Sequence, residues 1–560
     1  MAVDEASSTT MSRARAVLGG RKTSIMLALG FAAGFPNVLL IGTLNAWFAA
    51  AKVDLATIGI LSWIGLAYAF KFLWSPAVNT APPGLKALGR RRGWMVLCQV
   101  VMAGAIAVIA TSDPATGLGV MAVAAAVAAF ASATQDMAID AWRIEVAGAD
   151  APIDLMSAIY QFGYRTATLV GGAGALLLAD TMAWNGVYAI GAVVMGLAIL
   201  ASLAAPEPVV PAVTAASLAT DRRTTPAIRR NVVSLIMTAW LVAAALLIAF
   251  MVISLTMKVP VSPAELAACT GICDLLRASR LLVKASDFTA FWGPVIVIAT
   301  VILPCGLAAW IAQRPATAAE GQHAGRADRL YAGIVSPFVE LMARLGFAAI
   351  LVLILILTYR ITDSIWGPFA FPFYLGEMKY TNTEVALASK TFGVIMTIAG
   401  IALGAWALVK LGRMASLTLG AILAAASNLL FADLADGSAG IDAVLNFTGL
   451  HAVFEWGGLD LRMARLMTAI TGENLAAGFA GAAFVAYLSS LASRMHGAVQ
   501  FAVFTSLTLL VGTLGRGALG EAIETYGYGA VFRFAALLGV VAVLACIAEW
   551  VRVARAAKTS

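Results

Sequence analysis

The sequence predicts an all-α integral membrane protein with fourteen transmembrane helices, and three observations carry that expectation. Of 560 residues, 61% are apolar and only 12% charged, about half the charged share of a soluble domain. Apolar runs long enough to cross about 30 Å of hydrocarbon recur from end to end, and backbone in lipid must satisfy its own hydrogen bonds, which helices do within one segment. Lys and Arg fall in short clusters between these runs, so the net charge of +7 orients spans rather than marking a nucleic-acid surface.

Residues 1–22 are polar and form an N-terminal tail. The run that follows, 23–49, is too long for a signal-peptide core and is a retained first span. Runs at 55–75, 93–111, 115–142, 155–180 and 182–205 complete an N-terminal six-helix bundle over 23–205. Pro206, Pro208, Pro211 and Pro226 then mark a boundary between halves. The linker, 206–336, holds two extra central spans at 231–257 and 286–312. A C-terminal six-helix bundle occupies 337–551, with runs at 337–373, 383–409, 413–434, 465–493, 496–520 and 528–551, and a tail at 552–560.

With the N-terminus inside, roughly 22 of the 37 basic residues fall on the cytoplasmic side and roughly 8 outside, as the positive-inside rule asks. Arg21, Lys22, Arg222, Arg223, Arg552 and Arg555 are among the inner group. An even number of spans returns a basic C-terminus to the same side. Two insertions fall outside and read as decoration of the bundle: 258–285 with Cys269 and Cys273, and 435–464 with His451, Glu455, Trp456 and Asp460. An external disulfide between those cysteines has a suitable compartment, but four-residue spacing strains it within a regular helix, so free thiols are favoured. Cys98, Cys305 and Cys546 lie in apolar runs and act as small hydrophobes. No zinc spacing occurs, and neither metal nor other cofactor is expected.

Ionisable residues at membrane depth are costly and point to a pathway. In the first half they are Lys71, Asp136, Asp140 and Arg165; in the second, Arg360, Asp363, Lys390 and Glu473, with Arg516 further along. Asp136, Asp140 and Arg143 are four and three residues apart and share one helical face, with Gln135 beside it. Tyr160, Gln161, Tyr164 and Arg165 enter from the same side at similar depth, which suggests an Asp136–Arg165 pair. The competing reading is an ion pair that only fixes helix register, and for Asp140 with Arg143 it stays open. Asp363, Lys390 and Glu473-Asn474 suggest either mutual compensation or contact with a zwitterionic ligand. His323, His451 and His496 all fall in loops or at span ends, so proton coupling must use carboxylates: Asp136, Asp363, Glu473 and Asp140. Trp47, Trp63, Trp74, Trp142, Trp184 and Trp366 sit near span ends, where most anchor the interface. Tyr68, Tyr160 and Tyr164 lie deep enough to pack on sugar rings. Small-residue pairs such as Gly30/Gly34 and Gly400/Gly404 are read as helix packing.

The chain resembles the major facilitator superfamily and, within it, the AmpG-type muropeptide permeases. The resemblance rests on Gly30-Phe-Ala-Ala-Gly-Phe-Pro36, Gly42-Thr-Leu-Asn-Ala-Trp47, Phe70-Lys-Phe-Leu-Trp-Ser-Pro76, Gly89-Arg-Arg-Arg-Gly-Trp94, Ser132-Ala-Thr-Gln-Asp-Met-Ala-Ile-Asp-Ala-Trp142 and Gly163-Tyr-Arg165. In the second half it continues through Thr362-Asp363, Ser389-Lys-Thr-Phe-Gly393, Glu473-Asn474 and Gln500-Phe-Ala502. It implies two six-helix bundles with alternating access in a bacterial inner membrane, both termini cytoplasmic. It also implies proton-driven import of N-acetylglucosaminyl-1,6-anhydro-N-acetylmuramyl peptides for peptidoglycan recycling, with a link to β-lactamase induction. On this resemblance, substrate contacts fall to Trp47, Tyr68, Lys71, Gln135, Tyr160, Tyr164, Arg165, Lys390, Asn474 and Gln500. Gating falls to Arg90, Arg91, Arg92 and Arg143. Asn79 stands where the superfamily usually carries an acid ahead of the basic run, which departs from its charge-based gate. The partners implied are substrate, protons and lipid, with no nucleic acid, and the chain is expected to be a monomer. Two other readings are a proton-coupled exporter of drugs or other small molecules, and a membrane-embedded transferase. The sequence holds no phosphate loop, metal cluster or nucleophile constellation for the latter.

Overall fold

The computed structural model describes residues 20–51, 66–179, 181–208, 224–257, 259–260, 263–283, 285–314, 326–362, 370, 372–493, 495–514 and 516–559. Among these residues the structure is helical, with one isolated bridge between Gly148 and Ala151 and no strand. The helices are α1 Arg21–Val38, α2 Leu66–Phe70, α3 Arg91–Ala110, α4 Leu118–Val146, α5 Ile153–Thr168 and α6 Trp184–Ala204. Next come α7 Pro226–Thr256, α8 Pro263–Ala268, α9 Ile272–Ala278, α10 Ala285–Val297, α11 Leu303–Ala312, α12 Ser336–Leu345 and α13 Ala348–Thr358. The last group is α14 Gly393–Lys410, α15 Arg413–Ala435, α16 Ala439–Thr448, α17 Leu450–Trp456, α18 Leu461–Leu491, α19 Gly497–Leu514 and α20 Arg516–Thr559.

Nine helices among the described residues are long and apolar enough to cross a bilayer, or ten if Tyr331–Leu345 and Ala348–Thr358 form one bent span. The expected fourteen are therefore not reproduced as regular spans. The expected run 55–75 lies largely outside the described residues, and 337–373 is broken at Gly346, whose φ of 56° ends α12. The first expected span is helical throughout Arg21–Ala50, with a wider turn at Leu39–Thr43 after Pro36.

The chain divides into two compact units. One comprises Met1–Val210, Leu351–Thr508 and Thr525–Ser560; the other comprises Pro211–Ile350 and Leu509–Glu524. In the first unit α1 packs on α5, α3 on α4 and α6, and α18 on α14 and α15, while α5 also packs on α14 and α18. Small residues set two of these crossings. A Cβ on Gly30 or Gly163 would strike the backbone of Tyr160 or Leu27, and one on Gly400 or Gly478 that of Leu475 or Thr397. Helices this close gain dispersion along their backbones, the device that membrane helices use where lipid supplies no hydrophobic drive. The packing role expected of Gly30 and Gly400 is what the structure shows.

Helix α4 is buried on every side from Ala131 to Val146, so its polar stripe faces protein rather than lipid. In the second unit α11 packs on α12, and Arg229 at the start of α7 reaches Asp328 at 3.2 Å and lies over the Tyr331 ring. Cys269, just after α8, and Cys273, in the first turn of α9, are bonded. The bond corrects the free-thiol expectation, and its cause is local: Gly271, with φ 63°, interrupts the helix between Cys269 and Cys273. The strain expected of a regular helix does not arise there.

Candidate functional site

The site is built on α4. Residues 136, 140 and 143 fall on one face of that helix, as their spacing requires. Facing them is Lys71. Helix α2 stops at Phe70, and the chain tightens into short turns over Lys71–Leu73 and Ser75–Asn79, where Ser75 Oγ donates to the Phe72 carbonyl at 2.8 Å. That turn places Lys71 Nζ 4.0 Å from Asp136 Oδ2 and 3.9 Å from Asp140 Oδ2. Arg143 Nη2 lies 3.1 Å from Asp140 Oδ1. The result is a buried quartet of two carboxylates and two cations, neutral in sum. Neutrality matters because an uncompensated charge at this depth costs several kcal/mol.

The ion partner of Asp136 is Lys71, which corrects the expected pairing with Arg165. Arg165 follows Tyr164 in the last turn of α5. Asp136 Oδ1 and Gln135 Oε1 are buried and make no hydrogen bond, while Gln135 Nε2 donates to the Ala32 carbonyl of α1 at 2.9 Å. The Tyr68 hydroxyl and Ser132 Oγ are likewise buried and make no hydrogen bond.

Arg143 also connects the two halves of the chain. Its Nη2 donates to Ser489 Oγ of α18 at 3.1 Å, and its guanidinium lies 4.6 Å from the Tyr160 ring and 4.9 Å from the Phe501 ring. Ser157 Oγ of α5 lies 3.3 Å from Ser489 Oγ. At the same end of the bundle Arg413 Nε donates to Asp154 at 2.8 Å, again joining the first half to the second. A cavity of about 310 Å³ opens beside this junction, lined by Ile144, Ala147, Gly148, Ile153 and Ser489 among others.

The basic run forms a second cluster. Arg91 is fully buried and grips Glu145 of α4 at 2.5 Å, and it donates to the Val78 carbonyl at 2.8 Å and to Asn79 Oδ1 at 3.1 Å. Arg90 reaches Glu145 at 3.1 Å. The Glu207 carboxylate accepts the backbone N–H groups of Arg90, Arg91 and Arg92 at 2.7, 2.8 and 2.9 Å, closing the N-terminus of α3 with a negative charge. Asn79 therefore still accepts from Arg91, and Glu145 and Glu207 supply the negative charge around the basic run. Sequence reasoning named neither acid. Glu145 lies two residues beyond Arg143, and Glu207 sits between two prolines in the linker.

In the second half Asn474 of α18 accepts from Thr397 Oγ1 of α14 at 2.7 Å and donates to Glu473 at 2.9 Å. Arg360, read as an intramembrane charge but given no role, donates to the Ala477 carbonyl at 3.4 Å. Gly481 makes room for it: a Cβ there would lie 3.3 Å from Arg360 Nη1 and 3.7 Å from Gln161 Nε2. Trp47 stacks against Trp184 and Tyr188 in the apolar core, and Gln500 Oε1 accepts the Ser493 N–H. Asp363 and the side chain of Lys390 lie outside the described residues.

This architecture is shared with known transporters. The proton:xylose symporter XylE, solved with a bromodeoxyglucose, aligns with a TM-score of 0.54 at 13% identity over 95% of each chain. A peptide transporter of the POT family aligns at 0.52 and 13% identity over 96% of each. The fold is that of these major facilitator superfamily structures.

Similarity to AmpG-type permeases runs nearly the whole length of the chain. The anhydromuropeptide permease of Escherichia coli K12 is 28% identical over 94% of this chain and 79% of its own. A Rickettsia conorii protein named as transporter AmpG 4 is 22% identical over 91% and 92%. A family model described as acetyl-coenzyme A transporter 1 matches residues 23–115.

Proposed function

We propose that the protein imports anhydro-muropeptides from periplasm to cytoplasm across a bacterial inner membrane, driven by protons. The relatives named as anhydromuropeptide permeases support the substrate class. The buried quartet Lys71, Asp136, Asp140 and Arg143 is the observation that supports the coupling.

Asp136 carries the proton in this reading. Protonating it removes one negative charge from a neutral group, so Lys71 turns fully to Asp140 and competes with Arg143 for that carboxylate. Arg143 is the residue that binds Ser489 across the halves. Loading a proton thereby loosens the junction of α4 and α5 with α18, and unloading restores it. Asp140, Glu473 and Asp363 are the other carboxylates assigned to coupling. Tyr68, Gln135, Tyr160, Tyr164 and Asn474 supply aromatic faces and amide groups for the sugars, and Lys71, Arg165 and Lys390 supply cations for the substrate carboxylates. Arg90, Arg91, Arg92 and Arg143 hold the cytoplasmic gate together with Glu145 and Glu207. The chain acts as a monomer with both termini cytoplasmic, and its imported cargo feeds peptidoglycan recycling and β-lactamase induction.

The test is uptake of labelled anhydro-muropeptide into proteoliposomes under an imposed proton gradient. Accumulation that a protonophore abolishes is the expected result. Uptake indifferent to the protonophore removes the coupling, and absence of uptake removes the substrate.

A further inference from the structure

The segment between α15 and α18 is a short helical hairpin, α16 and α17, turned at Gly449 with φ 70°. It is fixed in place. The Asp433 carboxylate accepts the N–H groups of Gly440 and Ile441 at 3.0 and 2.7 Å, and Arg465 grips Asp442 through two bonds of 2.7 and 2.6 Å. Ile441 and Leu445 are buried beneath it.

Its outer face carries large apolar side chains beside the exposed Asn446 and Glu455. Phe447 is 93% exposed, Trp456 91% and Val453 58%, and Val444 and Leu450 are also exposed. Both ends of the hairpin join membrane spans, α15 ending at Ala435 and α18 starting at Leu461. With 10 and 7 residues, the two helices reach only about 15 and 11 Å, too short for either to span the bilayer. Leu429 of α15 and Leu461 of α18 are also exposed on the spans that flank it. Around the base stand Asp436 with Arg533 and Asp442 with Arg465, charges suited to headgroup level.

We propose that α16–α17 is an interfacial hairpin that lies in the leaflet at its end of the bundle, with Phe447, Val453 and Trp456 among the upper acyl chains. An apolar face flanked by polar groups, too short to span, is the pattern of an element that rests in the interface. Here it anchors the α15–α18 turn to lipid, a role distinct from decoration and independent of the substrate carried.

The experiment places nitroxide labels on Phe447→Cys, Trp456→Cys and, for reference, Glu455→Cys in the full chain, reconstituted in phosphatidylcholine–phosphatidylglycerol vesicles. Collision with oxygen, which concentrates in lipid, is compared with collision with a water-soluble nickel chelate, against labelling of the unsubstituted chain. An oxygen-to-nickel ratio several-fold higher at 447 and 456 than at 455 is expected. Equal ratios at all three sites overturn the proposal in favour of water. Spin–spin broadening at 447 or 456 that vanishes on dilution with unlabelled protein overturns it in favour of a second copy.

Discussion

Arg143, fully buried on α4, donates to Ser489 Oγ of α18 at 3.1 Å, so a residue of the charged quartet also joins the first half of the chain to the second. Ser489→Ala leaves that guanidinium N–H without its acceptor in a buried site, at a cost of about 1–3 kcal/mol to this conformation. The expected outcome is greater thiol labelling of cysteines placed at Ala147 and Ala492 beside the junction. Unchanged labelling would show that the hydrogen bond does not hold this end closed.

Arg91 and Glu145 form a pair without solvent contact. Removing one partner of such a pair strands the other charge, so Glu145→Ala should destabilise the fold by about 3–5 kcal/mol. Asn79→Asp should act in the opposite direction, because the amide oxygen that Arg91 contacts at 3.1 Å becomes a carboxylate and the bond charge-assisted. Thermal unfolding in detergent, followed on both variants, reads both signs.

Gly163 meets the backbone of Leu27 and Phe31 where α5 crosses α1. A methyl there forces the helices apart, and Gly163→Ala is expected to cost about 1–3 kcal/mol and to lower the yield of monodisperse protein. Gly196, with open space around its Cβ position, is the control: Gly196→Ala should leave yield unchanged.

Asp442 titrates below its ordinary range because Arg465 hydrogen-bonds its carboxylate. A depressed carboxylate pKa contributes stability that is present above the ordinary value of about 3.9 and is lost as pH falls through the lower folded value. The pair is exposed enough for solvent to screen it, so the effect is confined to the hairpin. A label at position 447 should keep constant mobility from pH 8 to pH 5 and loosen only below about pH 4; loosening already at pH 6 would assign its tether to another group.

The sequence carried the fold and the polar stripe because both follow from local rules. Apolar run length reports spans, and the four- and three-residue spacing of Asp136, Asp140 and Arg143 reports a shared face. The partner of Asp136 was not legible in the same way. Arg165 and Lys71 both sit at suitable depth, and depth says nothing of the azimuth around each helix; the short turns at Lys71–Leu73 decide it. Glu207 was hidden for a similar reason, since a linker acid has no periodicity to betray the helix end it caps. The disulfide turned on Gly271, whose positive φ breaks the helix between two cysteines that spacing alone places on one.

The central claim is that Asp136 couples proton entry to substrate movement, and Asp136→Asn tests it most directly. The measurement is gradient-driven accumulation of labelled anhydro-muropeptide in proteoliposomes, alongside exchange of the same compound across vesicles without a gradient. The account predicts that accumulation is lost while exchange persists, because the amide keeps the shape of the site and removes the titrating group. Normal accumulation in a well-folded Asp136→Asn protein contradicts it and leaves Asp136 as part of a structural ion network.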